Sequence, residues 1–167
     1  MSQVVFLGLG SNQGEKIKNC EQAIGEILRS KENVLISRSS WHYCEPWGKE
    51  DQDWFINGVL QIRTTLSPFE LLARIKEIEK FLGRSENVRW GPRIIDIDIL
   101  FYDNLTIKSP EAEIPHPGIA ERNFVLIPLA EIAPQFIHPV LKKTIKELLA
   151  ISPDRKKVIK VRGKICE

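Results

Sequence analysis

The sequence has few cysteines, no long apolar run and almost no net charge, and each shortage removes a class of protein. Its three cysteines, Cys20, Cys44 and Cys166, are odd in number and far apart. That excludes a CxxC metal pair and a small disulfide scaffold, and it fits a reducing, cytoplasmic compartment. The first apolar run, Val4-Val5-Phe6-Leu7, stops at Gly8 and has no basic flank, so neither a signal peptide nor a membrane span is expected. Internal repeats and flexible linkers are also missing. What remains is 167 residues, 43% apolar and 28% charged: an ordinary globular composition, with room for one domain that buries roughly two-thirds of its unfolded surface.

The net charge of +2 hides an uneven distribution. Nine basic residues between Lys142 and Lys164 face only Glu147 and Asp154, so this stretch carries +7 and the remainder −5. A basic tail can attract polyanions. No aromatic is interleaved, however, as a single-strand nucleic-acid binder requires, and a solvated edge is the expected reading. Residues 142–167 are therefore taken as a basic extension of a single domain spanning 1–167.

Hydrophobic periodicity outlines the elements. A strand at Val4–Leu7 is followed by a helix whose apolar positions (Ile17, Cys20, Ala23, Ile24, Ile27) recur at three- and four-residue steps to about Arg29, with Ser11 or Asn12 as its cap. Strands are expected at Asn33–Tyr43, Phe55–Thr65 and Ile94–Tyr102. Ser67-Pro68-Phe69-Glu70 reads as a capping box opening a second helix that stops at Gly83. The order β-α-β-β-α-β predicts an α+β sandwich, one antiparallel sheet with two helices on one face. Short helices around 120–122, 128–132 and 144–150 and an edge strand at 158–161 complete the expectation.

Chemistry concentrates in three places. In Arg93-Ile94-Ile95-Asp96-Ile97-Asp98-Ile99, strand alternation puts Asp96 and Asp98 on one face, roughly 7 Å apart, and the isoleucines on the other. Such a pair is either a solvated acidic face or a ligand pair for a hard divalent ion such as Mg²⁺, completed by water and phosphate oxygens. The loop before it carries Arg84, Arg89 and Arg93. These could be salt-bridge partners of the acids, or forked donors for a polyphosphate. Third is His116 between Pro115 and Pro117, with Arg122 six residues on, a structural histidine or a phosphate contact. In Gly8-Leu9-Gly10-Ser11-Asn12-Gln13-Gly14 after a strand, the third glycine is misplaced for a dinucleotide fingerprint and the βαβ alternation is absent; it leaves room only for close approach of backbone to a ligand. A βαββαβ sheet could also present Phe6 and Phe55 to single-stranded RNA, but an acidic pair on that sheet repels phosphates.

Taken together, Gly10-Ser11-Asn12, Phe55-Ile56-Asn57, Glu79 with Gly83-Arg84, Arg89-Trp90-Gly91-Pro92-Arg93 with Asp96-Ile97-Asp98, Pro115-His116-Pro117, Arg122-Asn123-Phe124 and Pro128–Pro134 resemble the 6-hydroxymethyl-7,8-dihydropterin pyrophosphokinase family of folate biosynthesis, over about residues 3 to 140. The resemblance implies a ferredoxin-like sandwich. It implies transfer of the β,γ-pyrophosphoryl group of ATP to the hydroxymethyl oxygen of 6-hydroxymethyl-7,8-dihydropterin, with release of AMP. Asp96 and Asp98 would hold two Mg²⁺ ions, and Arg84 and Arg93 would grip the transferring group. Arg89, His116 and Arg122 would surround the nucleotide phosphates, with Lys76, Glu79 and Ile99 beside the nucleotide. Phe55 and Phe124 would sandwich the pterin, Asn57 would read its edge, Trp90 would close over it, and Cys44, Pro46 and Trp47 would add contacts, with Asp96 adjoining both substrates. A cytoplasmic monomer is implied, with neither nucleic acid nor membrane as a partner. Gly118-Ile119 stands where the family often carries Arg-Met after Pro-His-Pro.

Overall fold

A computed structural model describes residues 1–47, 51–83 and 93–162. Arg84, Arg89 and Trp90 lie outside the described residues. The chain runs β1 (Gln3–Ser11), α1 (Lys16–Arg29), β2 (Asn33–Arg38), β3 (His42–Cys44), β4 (Phe55–Thr64), α2 (Pro68–Phe81), β5 (Asp96–Tyr102), β6 (Ile107–Lys108), β7 (Glu113–Ile114), a 3-10 turn (Ile119–Glu121), α3 (Asn123–Ile132), α4 (Ile145–Ile151) and β8 (Val158–Lys160).

The main sheet is antiparallel, in the order β5-β1-β4-β3-β8, with β2 also paired to β4. With β2 and β3 counted as one interrupted strand, the four strands of the βαββαβ unit lie in the order 4-1-3-2, the ferredoxin-like arrangement. Alternation along β1 sends Val5, Leu7 and Leu9 to one face, where they join Ile24 and Ile27 of α1, Ile75 of α2 and Ile97 of β5. Phe6 points to the other face and packs with Val59, Leu100, Leu126 and Leu148. The expected pair of helices therefore covers one face, and α3 with α4 covers part of the other.

Local chemistry accounts for the ends of α2. The Ser67 hydroxyl accepts the Glu70 amide at 3.2 Å while the Glu70 carboxylate accepts the Ser67 amide at 2.9 Å, the expected capping box, which satisfies two donors that the first turn leaves without helical partners. Thr144 and Glu147 repeat it at α4.

Several boundaries differ from expectation. β1 extends to Ser11, and α1 starts at Lys16 with Glu15 at its cap and no side-chain cap bond. Ser11 and Asn12 are not its caps, because both are drawn into the sheet end and buried. The strand expected over 33–43 is broken between Arg38 and His42. There the Ser39 amide donates to the Val59 carbonyl and the Ser39 hydroxyl accepts the Val59 amide, both at 2.9 Å. A side chain thus replaces the backbone at the break, and Trp41 lies over Gly58, where a Cβ would come within 2.6 Å of its ring. The helix expected from 128 begins at Asn123, Pro128 being accommodated inside it.

The basic extension is partly built into the fold. Ile145 and Leu148 are buried, β8 pairs with β3, and the Asp154 carboxylate accepts the Asn123 amide at 2.8 Å, supplying the N-terminus of α3 with an anionic partner. Among the described residues, no helix is long and apolar enough to cross a membrane.

Candidate active site

Sheet register assembles the site. Gly10 of β1 lies opposite both Asp96 of β5 and Asn57 of β4, and Asn57 lies opposite His42 of β3. Directly opposed residues of antiparallel strands share a face, so Asp96, Gly10, Asn57 and His42 form one row across the sheet. The next row places Asp98 beside Gly8 and Gly8 beside Val59. The Leu100 side chain packs over Gly8, 3.4 Å from where a Cβ would be. A Cβ on Gly10 would sit 2.4 Å from Asn57 Oδ1, so this glycine is what lets the Asn57 amide lie across β1.

Phe55 shares the face of Asn57 by strand alternation, and Cys44 lies opposite Phe55. The Cys44 thiol is buried, hydrogen-bonds the Asn57 side chain and also donates to the His42 carbonyl at 3.6 Å. Burial is the main reason its pKa is pushed up to about 12, so it acts as a neutral packing group and not as a nucleophile. Helix α3 crosses the same face, and its Phe124 packs against the Phe6–Val59 cluster. Cys44, Phe55, Asn57, Asp96 and Phe124 are accordingly gathered on one side of the sheet. Pro46 and Trp47 follow β3 directly, and the Arg122 guanidinium lies over the Trp47 ring, 5.7 Å from its centroid.

At the open edge of β5 a cavity of about 250 Å³ is lined by Lys76, Glu79, Asp96, Asp98, Ile99 and His116 together with apolar residues of α2 and β7. These six residues come from three separate stretches of sequence, and the fold brings them to one cleft. Glu79 is buried, and one of its oxygens accepts the Ile97 amide at 2.9 Å. It thereby holds the backbone unit between the two aspartates from the side of β5 that faces away from β1. Glu111 and Glu113 also border the cavity, a contribution that no local pattern signals.

His116 Nδ1 lies 2.7 Å from the Pro117 carbonyl, which can only accept, so Nδ1 carries the proton. Its Nε2 lies 3.8 Å from Asp98 Oδ2. Burial chiefly, and the Arg122 charge next, hold the His116 pKa below its usual value. The neutral ring turns an acceptor toward Asp98, so a phosphate contact through Nε2 requires a proton first. The Asp98 side chain is 43% exposed, so the two acids keep access to water instead of being sealed among isoleucines.

The donor set fits a hard divalent cation. Asp96 and Asp98 are adjacent acids on one face, the Asp98 side chain is 43% exposed, and the cavity beside them can hold further oxygen ligands. Among the described residues no cluster of three or more ligating side chains exists, so a cation held by the two acids would complete its shell with water and substrate oxygens.

One residue of the site escaped its sequence signal. Asn12 lies in the Gly-Ser-Asn run, but its position at a strand end resembles a helix cap. In the fold its Oδ1 accepts the Arg93 amide at 2.7 Å, and its Nδ2 donates to Gln52 Oε1 at 2.7 Å and to the Asp53 carbonyl at 3.1 Å.

The model of one protein family, 7,8-dihydro-6-hydroxymethylpterin-pyrophosphokinase, matches residues 6–134. A 2-amino-4-hydroxy-6-hydroxymethyldihydropteridine pyrophosphokinase of Aquifex aeolicus is 44% identical, the match covering 86% of this chain and 88% of that protein. A folic acid synthesis protein of Dictyostelium discoideum is also 44% identical over 86% of this chain, but the match spans only 22% of that longer protein. Among solved structures, wild-type Plasmodium falciparum HPPK-DHPS with pteroate superimposes with a TM-score of 0.70 at 17% identity, covering 90% of this chain and 42% of that one. This last likeness concerns the fold.

Proposed function

The chain belongs to the 7,8-dihydro-6-hydroxymethylpterin-pyrophosphokinase family, and we propose that it transfers the terminal diphosphate of ATP to 6-hydroxymethyl-7,8-dihydropterin, giving AMP and the pterin diphosphate for folate biosynthesis. The observation that carries this reading is the position of Asp96, which belongs to the row containing Gly10 and Asn57 and also lines the cavity with Lys76, Glu79 and His116. A pterin on the Asn57 face and a nucleotide in the β5 cleft therefore meet at the acids.

In the transfer, the hydroxymethyl oxygen forms a bond to the β-phosphorus, the bond from that phosphorus to the α-phosphate oxygen breaks, AMP leaves and the hydroxyl proton passes to solvent. Little covalent work falls to the protein, so positioning and neutralisation dominate. Phe55 and Phe124 sandwich the pterin, and Asn57, fixed by Cys44 and by the gap at Gly10, reads its edge. Pro46 and Trp47 border the same end. Arg93, with Arg84, grips the transferring diphosphate, while Arg89, His116 and Arg122 face the phosphates and Trp90 closes over the pterin. Lys76, Glu79 and Ile99 line the nucleotide side. Asp96 and Asp98 would hold two Mg²⁺ ions, which supply charge neutralisation of the polyphosphate and Lewis acidity toward the attacking hydroxyl.

Residues 1–167 act as one monomeric pyrophosphokinase domain, with the basic extension supporting α3 and the sheet edge. The buried thiols of Cys20 and Cys44, which form no disulfide among the described residues, suit a reducing cytoplasm. Incubation with ATP, Mg²⁺ and 6-hydroxymethyl-7,8-dihydropterin should yield AMP in step with pterin diphosphate. ADP as the nucleotide product would overturn the reading, since it means transfer of a single phosphoryl group.

A further inference from the structure

Gly118 begins the 3-10 turn with φ +86°, a left-handed backbone that favours glycine. What fills the space beside it is the side chain of Arg122: a Cβ built on Gly118 would come 3.1 Å from Arg122 Nε, 3.2 Å from Cζ and 3.3 Å from Nη2. On another side the same guanidinium lies over the Trp47 ring, 5.7 Å from its centroid. Among the described residues the buried Trp47 Nε1 has no hydrogen-bond partner, and the contact with Arg122 is made by the indole ring. Arg122 in turn lies close enough to His116 to depress its pKa, and His116 is tied to Pro117, next to Gly118, by its Nδ1 bond.

We propose that Gly118 and Trp47 are positioning residues that form two walls of a berth for the Arg122 guanidinium, aiming that charge at the nucleotide phosphates from the segment that carries the pterin contacts. A Cβ at 118 would thus press on the Arg122 guanidinium at 3.1–3.3 Å, and a longer side chain there would have to displace it. The inference rests on the assignment of Arg122 to the nucleotide made above. It adds a dependence: the phosphate-binding arginine is held in place by a residue of the pterin side.

Steady-state kinetics with each substrate varied at saturation of the other test this on Arg122→Ala, Gly118→Ala, Gly118→Asn, Trp47→Ala, Trp47→Phe and the Gly118→Ala/Arg122→Ala double variant. Arg122→Ala should raise the KM for ATP about tenfold, as loss of a charge-assisted contact does. Each Gly118 variant should raise it about three- to tenfold while leaving the KM for pterin within about twofold. Asparagine tolerates the left-handed backbone far better than alanine, so equal losses in the two variants identify the Cβ, and not backbone strain, as the cause. Gly118→Ala should add no further loss once Arg122 is gone. Trp47→Ala should raise the KM for ATP as Gly118→Ala does, together with a rise in the KM for pterin because Trp47 also borders that ligand, and Trp47→Phe, which keeps a ring face, should recover most of the loss toward ATP.

A near-normal KM for ATP in Gly118→Asn beside an impaired Gly118→Ala would overturn the Gly118 wall. A rise confined to the KM for pterin in Trp47→Ala would overturn the Trp47 wall. An unchanged KM for ATP in Arg122→Ala would instead overturn the assignment of Arg122 to the nucleotide, and the berth's function with it.

Discussion

Asn12 and Arg93 hold each other in both directions: the Arg93 backbone amide donates to the side-chain Oδ1 of Asn12 at 2.7 Å, and the Asn12 backbone amide donates to the Arg93 carbonyl at 3.0 Å. Asn12 is 2% exposed, and its remaining donors reach Gln52 and Asp53. One buried amide therefore joins the end of β1, the residue that enters β5 and the segment that enters β4. Arg93, beside the two aspartates, and the segment that leads to Phe55 and Asn57 are fastened to the same side chain.

Asn12→Ala leaves the Arg93 amide and the Asp53 carbonyl without this partner inside the protein, which costs about 1–3 kcal/mol per buried group. The expected result is a fall of about tenfold or more in kcat/KM for both substrates, with a lower urea midpoint. Asn12→Asp keeps the acceptor for Arg93 but sets a carboxylate against Gln52 Oε1 and the Asp53 carbonyl, so its penalty should fall mainly on the KM for pterin. A kcat/KM within about twofold of wild type for Asn12→Ala would remove the fastening role.

Asp98→Ala removes one of the two acids beside Gly8 and Gly10 from a side chain that is 43% exposed, so little packing is lost. Turnover at saturating Mg²⁺ should fall about a thousandfold or more, while the melting temperature stays close to that of wild type. Near-normal AMP release would dismiss the divalent-ion assignment.

Gly10→Ala acts on the pterin side. Its Cβ would sit 2.4 Å from Asn57 Oδ1, a separation that forces the Asn57 amide off the row or bends β1. The KM for pterin should rise several-fold, by about 1–2 kcal/mol in binding, with the KM for ATP nearly unchanged. Equal effects on both substrates would point to a general distortion of the sheet.

Acid stability is expected to be set first by histidines. His138 Nδ1 accepts the amides of Val140 at 3.2 Å and Leu141 at 3.1 Å, so the folded state requires it neutral. Burial holds its pKa below the usual value, and burial is also the first cause for His42 and His116. Around the ordinary histidine pKa the unfolded chain binds more protons than the folded one, so stability rises with pH and is lost as pH drops below about 6.5. The melting temperature should therefore decline between about pH 7.5 and about pH 5.5, before the lowered carboxylates of Glu21 and Glu131 begin to protonate. His138→Asn offers an acceptor that does not titrate and should flatten part of that slope. A melting temperature constant across the window would contradict this account.

Much of this molecule is decided by residues a few positions apart. Alternation in 95–99 sends the isoleucines to the core and leaves Asp96 and Asp98 together, and Ser67 with Glu70 opens α2. Those features were legible in the sequence because their causes are local: a strand's two-residue period and the reach of a side chain to an amide three residues on. Register is a different matter, since it depends on which strands pair. Only the folded sheet puts Gly10 between Asp96 and Asn57, gives Asn12 to Arg93 instead of to α1, and breaks the expected 33–43 strand at Ser39, where a hydroxyl supplies the bond that a carbonyl would otherwise accept. The same holds for the Arg122 berth between Gly118 and Trp47. Sequence chose the chemical groups of the site; long-range pairing and close packing decided which of them touch, because contact between residues eighty positions apart is fixed by the whole core and not by either neighbourhood.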